Sequence, residues 1–199
     1  KQLIAHNLEL QALALRTDKI YVQQLPELSR QPIEIFLDIE GNPDHESYYL
    51  IGLIISKNQK ITNYTFWADN ATDEVYIWQQ FLSMINEYPD SPIFHYGNYD
   101  SKAIEILGKR YKTSITHIQP HLININNSVF GKIYFPVYSN RLKELGNYIG
   151  ATWTSNNASG IQSLVWRQLW EDSQDEKFKQ LLIRYNLEDC HALILLTNK

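Results

Sequence analysis

The pattern of apolar and polar positions divides the chain into a helical start, three successive strands, and then alternating helices and strands. Through residues 1–24 leucines and alanines recur at mixed three and four spacing, which predicts a helical arm, and Pro26 and Pro32 punctuate a linker after it. Ile33 to Ile39 alternates apolar and polar residues in strand fashion, Tyr48 to Ser56 is a nearly continuous apolar strand, and Lys60 to Trp67 reads as a third. Turn signals at Gly41-Asn42-Pro43 and Lys57-Asn58 separate the three, which makes them a meander.

Beyond the meander, an amphipathic helix is predicted from Thr72 to Asn86, a short buried strand from Ile93 to Tyr96, and a helix from Tyr99 to Tyr111. His121 to Asn126 reads as a fifth strand. Helices are predicted over Ser139 to Ile149, Gly160 to Trp170 and Asp175 to Asn198, with a polar loop from Ser155 to Gly160. This order gives an α/β fold: a mixed sheet of three meander strands plus parallel strands, flanked by helices. Residues 1–31 are expected to be an arm and linker at the end of an upstream domain, since the chain opens on Lys1 within a helical pattern, and 32–199 the catalytic domain.

Composition narrows the chemistry. With 44% hydrophobic and 20% charged residues over 199 positions, the chain has the balance of a folded domain with a substantial core. Cys190 is the sole cysteine, so neither an internal disulfide nor a cysteine-based zinc site forms, and any metal must take oxygen or imidazole ligands. The longest apolar run, Tyr48 to Ile55, is too short for a bilayer, and the chain is read as cytoplasmic. A net charge of -4 argues against a generally basic nucleic-acid binder. Between Ser101 and Lys143, however, Lys102, Lys109, Arg110, Lys112, Lys132, Arg141 and Lys143 face Glu105 alone, either as a phosphate-binding region or as a solvated face.

On the first meander strand, period-two alternation puts Asp38 and Glu40 on one face with Glu34 and Phe36, opposite Ile33, Ile35, Leu37 and Ile39. Two carboxylates held so close repel unless a proton or cation intervenes, and Mg²⁺ or Mn²⁺ is the hard ion that oxygen ligands select. A solvated strand face is the plainer alternative. On the last helix, Phe178, Leu181, Leu182, Tyr185, Ala192, Leu193 and Leu196 trace one stripe that also contains Asp189. A carboxylate there needs a metal or an arginine partner. Tyr185, four residues earlier, lies on the same helical face. Asp100 follows the short strand and opens a helix, either as an N-terminal cap or as a functional group at a strand end. Tyr48, Tyr49, Tyr96 and Tyr99 are core residues or stacking surfaces for a terminal base. His95 reads as a hydrogen-bonded core histidine, and Ser139 to Lys143 as a helix start with a serine cap and two cations able to clamp a phosphate.

The order D-x-E on the first strand, Asp100 after the fourth, and Y-x-x-x-D on the final helix resembles the DEDDy 3'-5' exonucleases over about Ile33 to Leu196. His95 to Asp100 is similar to a second exonuclease motif, with Tyr96 where many members carry asparagine. More narrowly, Leu37 to Asp44, Tyr134 to Asn140 and Tyr185 to Cys190 resemble the YprB-type RNase H-like domain attached to RecB-like nucleases.

That resemblance implies an RNase H-like fold and two-metal phosphodiester hydrolysis of DNA or RNA, with a RecB-like module upstream. Asp38 would bridge two Mg²⁺ or Mn²⁺ ions about 4 Å apart. Glu40 and Asp189 would complete the tighter site, Asp100 would hold the second, and Tyr185 would orient the attacking water. Two such ions would also bring the formal charge to zero. A non-catalytic nucleic-acid-binding module and an RNase H-like endonuclease are the competing expectations.

Overall fold

A computed structural model describes residues 6–58 and 60–199. The chain runs through α1 (Leu8–Thr17), β1 (Tyr21–Val22), β2 (Ile33–Asn42), β3 (Ser47–Lys57) and β4 (Lys60–Trp67), then α2 (Glu74–Asn86), β5 (Ile93–His95), α3 (Tyr99–Arg110) and β6 (Leu122–Asn124). It closes with α4 (Asn126–Val129), β7 (Ile133–Tyr134), α5 (Leu142–Ile149), α6 (Gly160–Ser173) and α7 (Glu176–Thr197). The main sheet has the order β4-β3-β2-β5-β6. The meander pairs are antiparallel, while β2–β5 and β5–β6 are parallel, so the sheet is the mixed one expected.

Strand β2 is bonded on both sides and buried on both faces. Ile35, Leu37 and Ile39 pack into a core shared with α2 and α3, whereas Phe36 turns the other way and meets Phe94 at 5.3 Å between ring centroids. Burying such side chains stabilises by about 1.5–3 kcal/mol each, an upper range. The alternation continues through Asp38 and Glu40, which therefore leave the sheet on the Phe36 face, where α7 crosses β2 and β3. A bulge after Glu40 shifts the register. Gly41 follows because a Cβ there would lie 2.4 Å from the Ser47 carbonyl oxygen.

The helical arm is shorter than its pattern and is not a free appendage. Its first five residues, Lys1 to Ala5, lie outside the described residues. Helix α1 ends at Thr17 because Asp18 adopts a left-handed conformation (φ 52°), and the residues expected to prolong it form β1, paired antiparallel with β7. The Asn7 amide donates to the Tyr134 hydroxyl at 2.9 Å, and Gln11 Nε2 donates to the carbonyls of Phe135 and Val137, each at 2.9 Å. The helix expected from Ser139 begins only at Leu142: the Ser139 hydroxyl donates to Glu144 at 2.6 Å, engaging the helix's first turn from outside.

Candidate metal centre

Asp38 and Glu40 from β2 and Asp189 from α7 converge so that one carboxylate oxygen of each lies within 4.8 Å of the others. They line a cavity of about 860 Å³ together with Tyr99, Arg141, Lys143, Leu164 and Tyr185. Among the described residues no lysine, arginine or histidine forms an ion pair with any of the three.

Each carboxylate instead takes a neutral donor. Asn186 Nδ2 donates to Asp38 Oδ2 at 2.6 Å and to the Asp38 carbonyl at 2.9 Å. The Ser163 hydroxyl lies 2.9 Å from Glu40 Oε2, and Trp153 Nε1 donates to Asp189 Oδ1 at 2.7 Å. These donors fix orientation without neutralising charge. Asn186 reaches Asp38 only because Gly52, paired with Asp38 across β2 and β3, has no side chain: a Cβ at 52 would fall 1.6 Å from Asn186 Oδ1.

The electrostatic result is a set of carboxyls that hold protons far above their ordinary range. Burial, then the charges of Asp189, Glu40 and Asp100, push Asp38 well up, against the Asn186 hydrogen bond. Burial and Asp189 push Glu40 up to about 8, opposed by Ser163. Burial raises Asp189 to about 7, opposed by its bonds to Trp153 and Tyr185. Burial raises the Tyr185 phenol too, and Asp189, Glu40 and Asp38 add to it, so this hydroxyl stays protonated at neutral pH.

Asp100 stands apart from the converging three. It is buried in the first turn of α3 without being the cap residue, which is Asn98, and accepts the Ile39 N–H at 2.9 Å. Burial raises it to about 7, opposed first by that amide. It thus braces the strand between Asp38 and Glu40 while adding negative charge behind them. His95 is buried as expected, yet its Nδ1 has no hydrogen-bond partner among the described residues and lies 3.8 Å from Asp100. Burial lowers it to about 4, so it is neutral.

Of the four tyrosines, Tyr48 and Tyr49 belong to the core, Tyr96 is bonded to the Asn140 carbonyl, and Tyr99 is exposed at the cavity. Of the basic residues between 101 and 143, Arg110 is committed to Glu74, and only Arg141 and Lys143 line the cavity. Asn186, Ser163 and Trp153 escaped the sequence reading. Asn186 had a signal, lying three residues before Asp189 on the same helical stripe. Ser163 and Trp153 had none, since their partners are 123 and 36 residues away.

The donor set fits a divalent cation. Carboxylate oxygens are the ligands hard ions select, and a cation between three mutually repelling, desolvated carboxylates relieves the penalty that raises their proton affinity. No curated protein and no solved structure matched the sequence. A family model did match, over residues 35–199, a span that contains all but the first two residues of β2, the other four strands of the main sheet, and α7, with Asp38, Glu40, Asp100 and Asp189. This chain belongs to the RNase_H superfamily.

Proposed function

We propose that the protein is a divalent-metal-dependent nuclease, a 3'-5' exonuclease using Mg²⁺ or Mn²⁺. Membership of a superfamily that usually hydrolyses nucleic acids supports the class. The observation that carries it is the convergence of Asp38, Glu40 and Asp189 on one point with no ion-pair partner among the described residues. The exonuclease polarity rests on the motif order, Tyr185 four residues before Asp189 included.

In this reading Asp38, Glu40 and Asp189 hold the metal, with Asp100 completing the acidic set. A divalent metal held there would supply acidification of the attacking water and charge neutralisation at the phosphate. Asn186, Ser163 and Trp153 each occupy one side of a carboxylate, which restricts its rotation and aims the remaining oxygen. Tyr185 is an orienting group rather than a base: its phenol keeps its proton, and it positions the water as a hydrogen-bond partner. Arg141 and Lys143 bring positive charge to the wall of the same cavity. Residues 1–31 are read as the link from this domain to an upstream RecB-like module, in the cytoplasm.

The test is release of mononucleotides from a 5'-labelled single strand in Mn²⁺, with a circular strand in parallel. Stepwise shortening of the linear substrate alone is expected. Cutting of the circle would convert the assignment to an endonuclease, and undiminished activity in Asp38→Ala would sink it.

A further inference from the structure

Beside the cavity, the loop between β7 and α5 shows an unusual combination of rigidity and exposure. Its backbone is tied at four places. Gln11 from α1 donates to the carbonyls of Phe135 and Val137, the Tyr96 hydroxyl donates to the Asn140 carbonyl, and the Ser139 amide and hydroxyl both donate to Glu144, at 3.0 and 2.6 Å. Phe135 is buried beneath it. Yet Tyr138, at the centre of these tethers, is 92% exposed. A ring so exposed adds almost nothing to folding, since apolar stabilisation scales with area removed from water. The tethers fix the backbone that presents the ring to solvent.

Three residues on is Arg141, whose α carbon lies within about 11 Å of that of Tyr138 by chain reach. Arg141 is exposed, lines the acidic cavity, and has no side-chain hydrogen bond or ion pair among the described residues. Its neighbour Lys143 differs, because its ammonium donates to the Ala158 carbonyl at 2.6 Å. An exposed aromatic ring on a tethered backbone and an uncommitted guanidinium, one to three stacked-base steps of about 3.4 Å apart, match the two recurring parts of a single strand: base face and phosphate.

We propose that Tyr138 and Arg141 form a strip that holds the single strand leading away from the acidic cavity, with an unpaired base stacked on Tyr138 and a backbone phosphate on Arg141. The strip rests on the nuclease reading for its substrate, and extends that reading outside the metal centre. Stacking on a tyrosine requires an unpaired base and tolerates any sequence, so the strip selects single strands without reading bases.

The experiment measures binding of a fluorescein-labelled oligothymidylate by anisotropy across a salt series, with calcium replacing magnesium or manganese. In parallel it measures manganese-dependent hydrolysis of the p-nitrophenyl ester of thymidine 5'-phosphate, which is too small to reach the strip. Tyr138→Ala is expected to weaken oligonucleotide binding about tenfold, and Tyr138→Phe to retain it. Arg141→Gln is expected to reduce the salt slope by about 0.7, and the two Tyr138 variants, whose side chain lies outside the cavity lining, to turn over the ester at the wild-type rate. Both side chains are exposed, so each variant keeps the fold. Equal affinities and equal slopes in wild type, Tyr138→Ala and Arg141→Gln would overturn the strip and leave the nuclease standing. Loss of affinity at Tyr138 in a protein that hydrolyses neither substrate would remove the nuclease reading and leave the strip.

Discussion

Glu74 and Asp189 are both buried carboxylates on helices that pack on the sheet, and the protein treats them in opposite ways. Glu74 opens α2 and is 2% exposed. It accepts the Tyr48 N–H and the Tyr111 hydroxyl, each at 2.7 Å, and is paired with the Arg110 guanidinium, a permanent cation supplied by α3. Asp189 is buried to a similar degree but receives the neutral Trp153 indole and faces two more carboxylates. Burial of a carboxylate is common to both. What separates them is the kind of donor: a built-in cation makes a structural strut, and neutral donors around converging acids leave room for an external one.

The contrast breaks most visibly in activity. Asp189→Asn keeps the volume and the indole bond but removes a ligand charge, and nuclease turnover is expected to fall at least about a thousandfold, about 4 kcal/mol in activation free energy. Unfolding midpoints, measured alongside, should not fall; wild-type turnover would make Asp189 another strut. Glu74→Ala should do the reverse. It strands Arg110 and the Tyr48 amide, costing about 3 kcal/mol in urea unfolding, the low end for a broken buried pair because the Arg110 side chain is 33% exposed. The affinity for Mn²⁺ should stay as it was.

Without metal, stability is expected to fall by on the order of 2 kcal/mol as pH rises from about 6.5 to 8.5. Asp189 and Asp100, raised to about 7, and Glu40, raised to about 8, bind more protons folded than unfolded. Their stabilisation is therefore complete below the ordinary carboxylate range and lost as pH climbs through the raised values. His95, lowered to about 4, is neutral in the folded protein throughout, and the half proton that the unfolded imidazole sheds at the bottom of this window offsets only about 0.4 kcal/mol of the loss. Saturating Mn²⁺ should flatten the profile, and a flat profile in EDTA would contradict the electrostatics. The smallest effect belongs to Trp153→Phe. Losing the indole donor should weaken Mn²⁺ binding about tenfold by calorimetry, the low end for a residue that orients a ligand.

The carboxylates were legible because periodicity reports faces. Alternation on β2 correctly grouped Asp38 and Glu40 with Phe36, and the stripe on α7 correctly buried Tyr185 and Asp189. The meander and the α/β order followed from the same signal. The orienting set was not legible, since Ser163 and Trp153 meet their partners only after α6 and the preceding loop close over the strand ends. The arm misled for a related reason: its apolar spacing says helix up to residue 24, whereas β1 is dictated by β7, more than a hundred residues away. Asp100 was weighed as a cap or a ligand, and its contact with the Ile39 amide is a third arrangement that neither helix nor strand pattern encodes.

Strand β2 is the middle member of five, hydrogen-bonded to neighbours on both sides. Beyond the Ile35–Phe36 pairing with β5, Asp38 and Glu40 stay paired with β3, and the Ile39 amide between them is closed on the open side by Asp100, so both carboxylates sit on a braced strand rather than on a segment that frays. A cation that binds them is therefore linked to global unfolding: at a hundred times its dissociation constant it adds about 2.7 kcal/mol to the stability of the entire domain. If the acidic centre holds a metal as proposed, heat inactivation and loss of the sheet would become one event, and the melting temperature would gauge how full that centre is.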